Sequence, residues 1–120
     1  MIKRFDGMVL TVADVVRSQA FYKTVFNMEP ITEGSRKGVR FEEQTIWLQN
    51  IGEELRHHAL EGASHIVLLT MLPPETLSEH FQSLQVELLE PPKDQGTFVM
   101  FLMHDLDRNL IAVKSLKQDV

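Results

Sequence analysis

Cysteine is absent from the 120 residues. Disulfides, thiolate metal ligation, CxxC redox chemistry and a cysteine nucleophile are excluded with it, and such a composition suits the cytoplasm. Positive charge is scarce: 12 Lys and Arg face 17 Asp and Glu, a net charge of −5. The nearest things to basic clusters are Arg36-Lys37 and Lys114/Lys117. Nucleic acid is therefore not an expected partner, since neutralising phosphates needs grouped cations. Long apolar runs are missing too. None approaches the ~20 residues that span a bilayer, and the segment after Met1–Asp6 is broken at Asp14 without a cleavage-like site, so neither a membrane nor a secretory signal is expected. No Gly-rich phosphate loop, GxSxG elbow or HExxH pair occurs.

What is present is an ordinary globular composition, 43% apolar and 24% charged, in a length that suits a single domain. The run from Phe5 to Val12 predicts a strand buried on both faces. Asp14 can cap a helix over Val15 to Phe26, with an apolar stripe at Val15, Ala20, Phe21 and Val25 and Asn27 as its left-handed terminator. Strands follow at Met28–Thr32, Gly38–Phe41 and Thr45–Gln49. Asn50 to Gly62 is polar and reads as a connection. The pattern then restarts: a strand at Ser64–Thr70, a helix near Glu75–Leu84 behind Pro73-Pro74, and strands at Val86–Leu89, Phe98–Met103 and Leu110–Lys114.

The two halves align with a constant offset of 58, Gly7 on His65 and Met28-Glu29 on Val86-Glu87. A repeat of that length implies two copies of one supersecondary unit. The expected fold class is α/β (α+β), with two βαβββ modules forming a curled mixed sheet around a cup-shaped cavity. Residues 1–120 are one domain, with module one at about 1–50, a linker at 51–62 and module two at 63–120.

Met8-Val9-Leu10-Thr11-Val12-Ala13-Asp14, Ala20-Phe21-Tyr22 and Asn27-Met28-Glu29 together resemble the opening of the vicinal oxygen chelate superfamily, which includes glyoxalases, bleomycin-resistance proteins and dioxygenases. Arg36–Phe41 and Gln44–Leu48 are similar to the end of its first module. Asp105-Leu106-Asp107-Arg108-Asn109 is similar to its near-terminal Asp-Pro-Asp-Gly-Asn turn, with Leu106 and Arg108 replacing Pro and Gly. In that family, four strands carry one His, Glu or Gln each and hold a divalent metal. The resemblance places those ligands at Gly7, Trp47, His65 and Ala112. Only His65 can donate to a metal, and one histidine falls far short of the three or more ligands a catalytic site needs. No metal and no cofactor is expected. A site built instead from His57, His58 and His104 is an alternative.

By strand alternation, Met8, Leu10, Val12, Ile46, Leu48, Ile66, Leu68, Ile111 and Val113 pack against helices. The cup side then holds Gly7, Val9, Thr11, Thr45, Trp47, Gln49, His65, Val67, Leu69, Leu110, Ala112 and Lys114. This mostly apolar lining suits a small molecule, bound by Trp47, His65, Thr11, Gln49 and Lys114. Trp47 either stacks on a planar ligand or fills the volume left at Gly7 and Ala112. The leading functional reading is a small-molecule binder with a degenerate metal site. Whether the chain is an enzyme stays open: the alternative is a lactoylglutathione-lyase-like or dioxygenase-like enzyme with a relocated metal, or a metal-free mechanism with His65 as base. The third reading is a non-catalytic dimerising module. A symmetric homodimer is expected.

Overall fold

The computed structural model describes residues 1–3, 5–51 and 64–117. The chain divides into two compact units, Met1–Glu61 and Gly62–Val120. The first unit runs β1 (Met8–Val12), α1 (Val15–Phe26), β2 (Glu29–Glu33), β3 (Arg36–Phe41), β4 (Gln44–Asn50). In the second are β5 (His65–Thr70), α2 (Pro74–Ser83), β6 (Lys93–Asp94), β7 (Phe98–His104) and β8 (Leu110–Leu116).

Each unit forms one mixed four-stranded sheet, ordered β1-β4-β3-β2 in the first and β5-β8-β7-β6 in the second. The first and last strands of each unit pair in parallel, Met8 with Ile46 and Ile66 with Ile111, and the remaining pairs are antiparallel. A parallel pair needs a crossover rather than a hairpin, and the helix after the first strand begins that crossover.

Helix α1 starts where Asp14 accepts the Arg17 amide at 3.1 Å and ends at Asn27, whose φ of 57° is left-handed. Its buried stripe is Val15, Ser18, Tyr22 and Val25, not the predicted set. Ala20 is exposed, and the fully buried Tyr22 takes the place expected for Phe21. A 3–4 residue spacing from Val15 reaches 18, 22 and 25, and the small Ser18 lets the helix approach the sheet. Beneath it lie Leu10, Val12, Val39, Ile46 and Leu48, all buried. Gln19 reaches down from the helix and donates its Nε2 to the carbonyls of Ile31 and Gly38, at 3.2 and 3.0 Å. In the second unit Ile66, Phe101, Met103, Ile111, Val113, Leu77 and Phe81 make the corresponding core.

Four expectations need correction. The strands do not curl into one sheet around a cup: they form two separate, open four-stranded sheets. The edge strand β6 is two residues long, because Pro91 and Pro92 immediately before it offer no N–H for a ladder, and so short an edge gives little on which a curl could continue. Val86–Leu89 is not a strand. Gln85 turns left-handed at φ 58°, and the Val86 amide is spent closing α2 on the Phe81 carbonyl at 3.0 Å. The strand expected over Phe5–Val12 begins only at Met8 and is buried on one face, with Val9 52% exposed. The offset between halves is also not constant: it is 58 from Met8 to Ile66 and 65 from Ile46 to Ile111. The connection Asn50–Gly62, with His57 and His58, lies outside the described residues after Ile51.

The β7–β8 turn is held from within. The buried Asp105 accepts the amides of Asp107 and Asn109 at 2.8 and 2.9 Å on Oδ1, and the Asn109 side-chain amide at 2.9 Å on Oδ2. Asn109 Oδ1 in turn accepts the Ser64 amide at 3.2 Å, tying the start of β5 to the start of β8. At the other end of this sheet, the Lys117 ammonium sits 2.7 Å from both Asp94 oxygens. That ion pair, with the Gly96 amide, holds the Asp94 carboxyl below its ordinary value. Its small contribution is present above the usual carboxylate range and disappears as pH falls through the lowered value. Removing the Asp105 carboxylate strips three buried donors of their acceptor. Asp105→Ala should cost about 2–4 kcal/mol in urea unfolding, while the exposed Leu106→Ala should change stability by under ~0.5 kcal/mol.

Candidate functional site

Strand register sorts the side chains of the first sheet into two faces. The face turned away from α1 carries three cross-strand rows. The middle row is Ile31, Gly38, Trp47 and Val9, successive partners across β2, β3, β4 and β1. On one side of it lie Glu29, Arg40 and Thr45, with Gly7 preceding β1. On the other lie Glu33 with Arg36, and Gln49 with Thr11. An apolar row is thus bordered by two polar ones.

Trp47 lies over two glycines. A Cβ at Gly38 would stand 2.5 Å from the Ile46 carbonyl oxygen and 3.0 Å from the indole Cε3. One at Gly7 would meet the Thr45 carbonyl at 3.1 Å and the indole Cδ1 and Nε1 at 3.4 Å. The benzene ring therefore borders β3 and the pyrrole ring borders Gly7. The Arg36 guanidinium covers the indole, its carbon 4.1 Å from the ring centroid. Beside this stack, Gln49 donates to the Thr11 hydroxyl at 3.0 Å.

The two readings of Trp47 can now be weighed within this unit. Gly7 and Gly38 leave the volume that the indole occupies, and Arg36 sits where a stacked ligand would lie. Trp47 is floor, and Arg36 is the group presented above it. Neither Arg36 nor Gly38 stood out in the sequence analysis. The signal was available as the alternation Arg36, Gly38, Arg40 on one strand, which puts all three on the face that Trp47 shares.

In the second sheet the face turned from α2 carries His65, Val67 and Leu69 on β5, and Leu110, Ala112 and Lys114 beside them on β8. Leu102 and Met100 continue the rows on β7. Lys114 Nζ lies 4.9 Å from the Phe98 ring centroid. Val67 and Leu69 are 56% and 64% exposed. His65 and His104 are both exposed and flank Leu110 in one row, a pairing that the sequence did not suggest. The His65 side chain has no hydrogen-bond partner among the described residues, so none of them orients its imidazole as a base. His57 and His58 fall outside them, so the alternative three-histidine site does too.

A groove of about 490 Å³ lies elsewhere, on the α1 side of the first sheet, where Asp14, Val15, Ser35, Lys37, Leu48 and Asn50 contribute to its lining. None of the predicted ligand-binding residues borders it. Asn50 Oδ1 there accepts the Val15 amide at 3.1 Å, so its side chain serves the helix start.

The chain belongs to the Glyoxalase/Bleomycin resistance protein/Dioxygenase superfamily, whose family model matches residues 4–114. It is 26% identical over 121 residues to virulence protein STM3117 of Salmonella typhimurium, covering 94% of this chain and 84% of that protein. A structure from the mobile metagenome of V. Pseudocholerae is similar throughout, with a TM-score of 0.83, 27% identity and 98% of each chain covered. The fosfomycin resistance protein FosX of Listeria monocytogenes shares the fold at a TM-score of 0.74 and 24% identity, over 96% of this chain and 94% of that one.

The family's metal does not fit the residues found here. Among the described residues no group of three or more His, Asp or Glu could hold an ion. The corner at Gly7 is occupied by the indole, and the buried Ala112 offers only a methyl group between Val67 and Leu102.

Seating of the indole sets three stability expectations. Gly38→Ala must push against a backbone carbonyl, and should cost about 1–3 kcal/mol; Gly7→Ala, with looser neighbours, should cost less. Trp47→Ala should lower stability by about 3–5 kcal/mol through the cavity it leaves. Thermal melts of the three variants rank them directly.

Proposed function

We propose that this chain binds small organic molecules without a metal, on the face of the first sheet turned away from α1. The observation that carries this reading is the seat of Trp47: a large aromatic floor laid on two glycines, roofed by one guanidinium and bordered by Val9 and Ile31. Small-molecule sites join an apolar surface to placed polar groups, and here the apolar row lies between two polar ones. Thr11 and Gln49, already bonded to one another, supply polar contacts at one border; on the second unit, taken by itself, we assign Lys114 and His65 as contacts on the face turned from α2. The family description includes bleomycin resistance, and FosX is named for fosfomycin resistance; both names support recognition of a small molecule. An enzymatic reading, lactoylglutathione-lyase-like or dioxygenase-like, has less support, because three of the four expected ligand positions lack a donor and no described residue orients the His65 side chain.

A symmetric homodimer in the cytoplasm completes the proposal. Val67 and Leu69 are each more than half exposed, apolar surface that a second copy would cover.

The test is an aromatic-compound titration of chelator-treated protein, followed by Trp47 emission and by amide shifts of Val9, Thr11 and Gln49. Saturable changes are expected at those positions, with elemental analysis showing far less than one equivalent of divalent metal per chain. Binding that requires an added stoichiometric metal, lost in His65→Ala, would overturn the reading. Solution scattering should give twice the 13.8 kDa chain mass; a monomer at all concentrations would remove the dimer.

A further inference from the structure

We infer that Arg36 makes this face selective for a small organic anion, a carboxylate or similar oxyanion on an apolar body; this rests on the proposed ligand site around Trp47. Arg36 follows directly on the two-residue turn Gly34-Ser35, where Gly34 adopts a φ of 60°. Its register partner across the hairpin is Glu33, on the same face. The guanidinium does not pair with that carboxylate. It turns over β4 to stand 4.1 Å from the centroid of the Trp47 ring, and among the described residues it makes no hydrogen bond or ion pair.

A cation on an aromatic face keeps its charge and its whole set of donors, because the ring attracts it without accepting its N–H groups. Arginine presents five such donors in a planar fork that matches the two oxygens of a carboxylate. The stack also limits the search the side chain would otherwise make, so less freedom is lost when the fork is engaged. The indole that holds it is itself held, wedged against Gly38 and Gly7. Beside the guanidinium lies the apolar row of Val9 and Ile31, which suits the body of the ligand rather than its charge. Glu33 and Glu29 on the same face repel an anion and limit its affinity, while Arg40, in the row beyond Trp47, adds a second positive charge.

Benzoate and its neutral analogue benzamide separate charge from shape. Titrated into the 15N-labelled full chain, benzoate should shift the amides of Arg36, Trp47 and Val9 and bind at least about tenfold more tightly than benzamide, the scale of a charge-assisted hydrogen bond. Arg36→Gln should remove that advantage and leave benzamide within about twofold; the residue is exposed, so the fold should be retained, which the amide spectrum reports. Arg36→Lys should recover only part of it. Glu33→Gln should tighten benzoate alone. Equal binding of the two compounds at these amides, unchanged in Arg36→Gln, would overturn the inference and leave the ligand face standing. Benzoate shifts confined to other residues would overturn it as well. No response to either compound, or to the wider aromatic panel, would remove the ligand face and the inference together.

Discussion

The parallel pairing of the first strand of each unit with its last is the contact on which the rest depends. Met8–Val12 lies beside Ile46–Asn50, and His65–Thr70 beside Leu110–Ser115. Because parallel neighbours cannot be joined by a tight turn, the chain must leave the sheet and return, and α1 and α2 begin those excursions. With one helix per unit, each sheet has a face the helix buries and a face it does not. Every functional statement about this protein concerns the second kind of face.

That division leaves the first sheet a face on which one packing choice has several consequences. Gly7 and Gly38 leave space, and Trp47 fills it as an apolar floor. An exposed indole face would be unfavourable by itself; Arg36 covers it while keeping its charge in water, as long cationic side chains commonly do. The seating of the indole and the cation–aromatic stack thus depend on the same two glycines.

The second unit repeats the element order with a different interior economy of hydrogen bonds. Its β7–β8 turn lacks the Pro and Gly that would shape it by backbone preference alone, and Arg108 adopts a φ of 63° there. Asp105 compensates by accepting three donors at once, which holds a left-handed non-glycine residue in place. Seven extra positions of offset accumulate between the parallel strands of the two units.

Alternation and helical spacing were enough to read the βαβββ order of the first unit, the span of α1 with its Asp14 and Asn27 ends, and which residues of β1, β4, β5 and β8 face the helices. These are local properties: a period of two or 3.6, and a terminator with a left-handed backbone, are written into neighbouring residues. All five proposed contact residues were assigned to the faces away from the helices by the same rule, and His65 as the sole donor among the four expected ligand positions followed from the resemblance. Three things were decided only by tertiary structure. The sheets are separate and open because an edge strand's length depends on which amides remain unspent, and Val86 spends its own on Phe81. The stripe of α1 passes through Ser18 and Tyr22 because contact with β3 and β4, rather than hydrophobicity, selects the buried positions. Arg36 chooses the Trp47 ring, eleven residues away, over Glu33, three residues away, a choice that depends on where Gly7 and Gly38 let the indole lie.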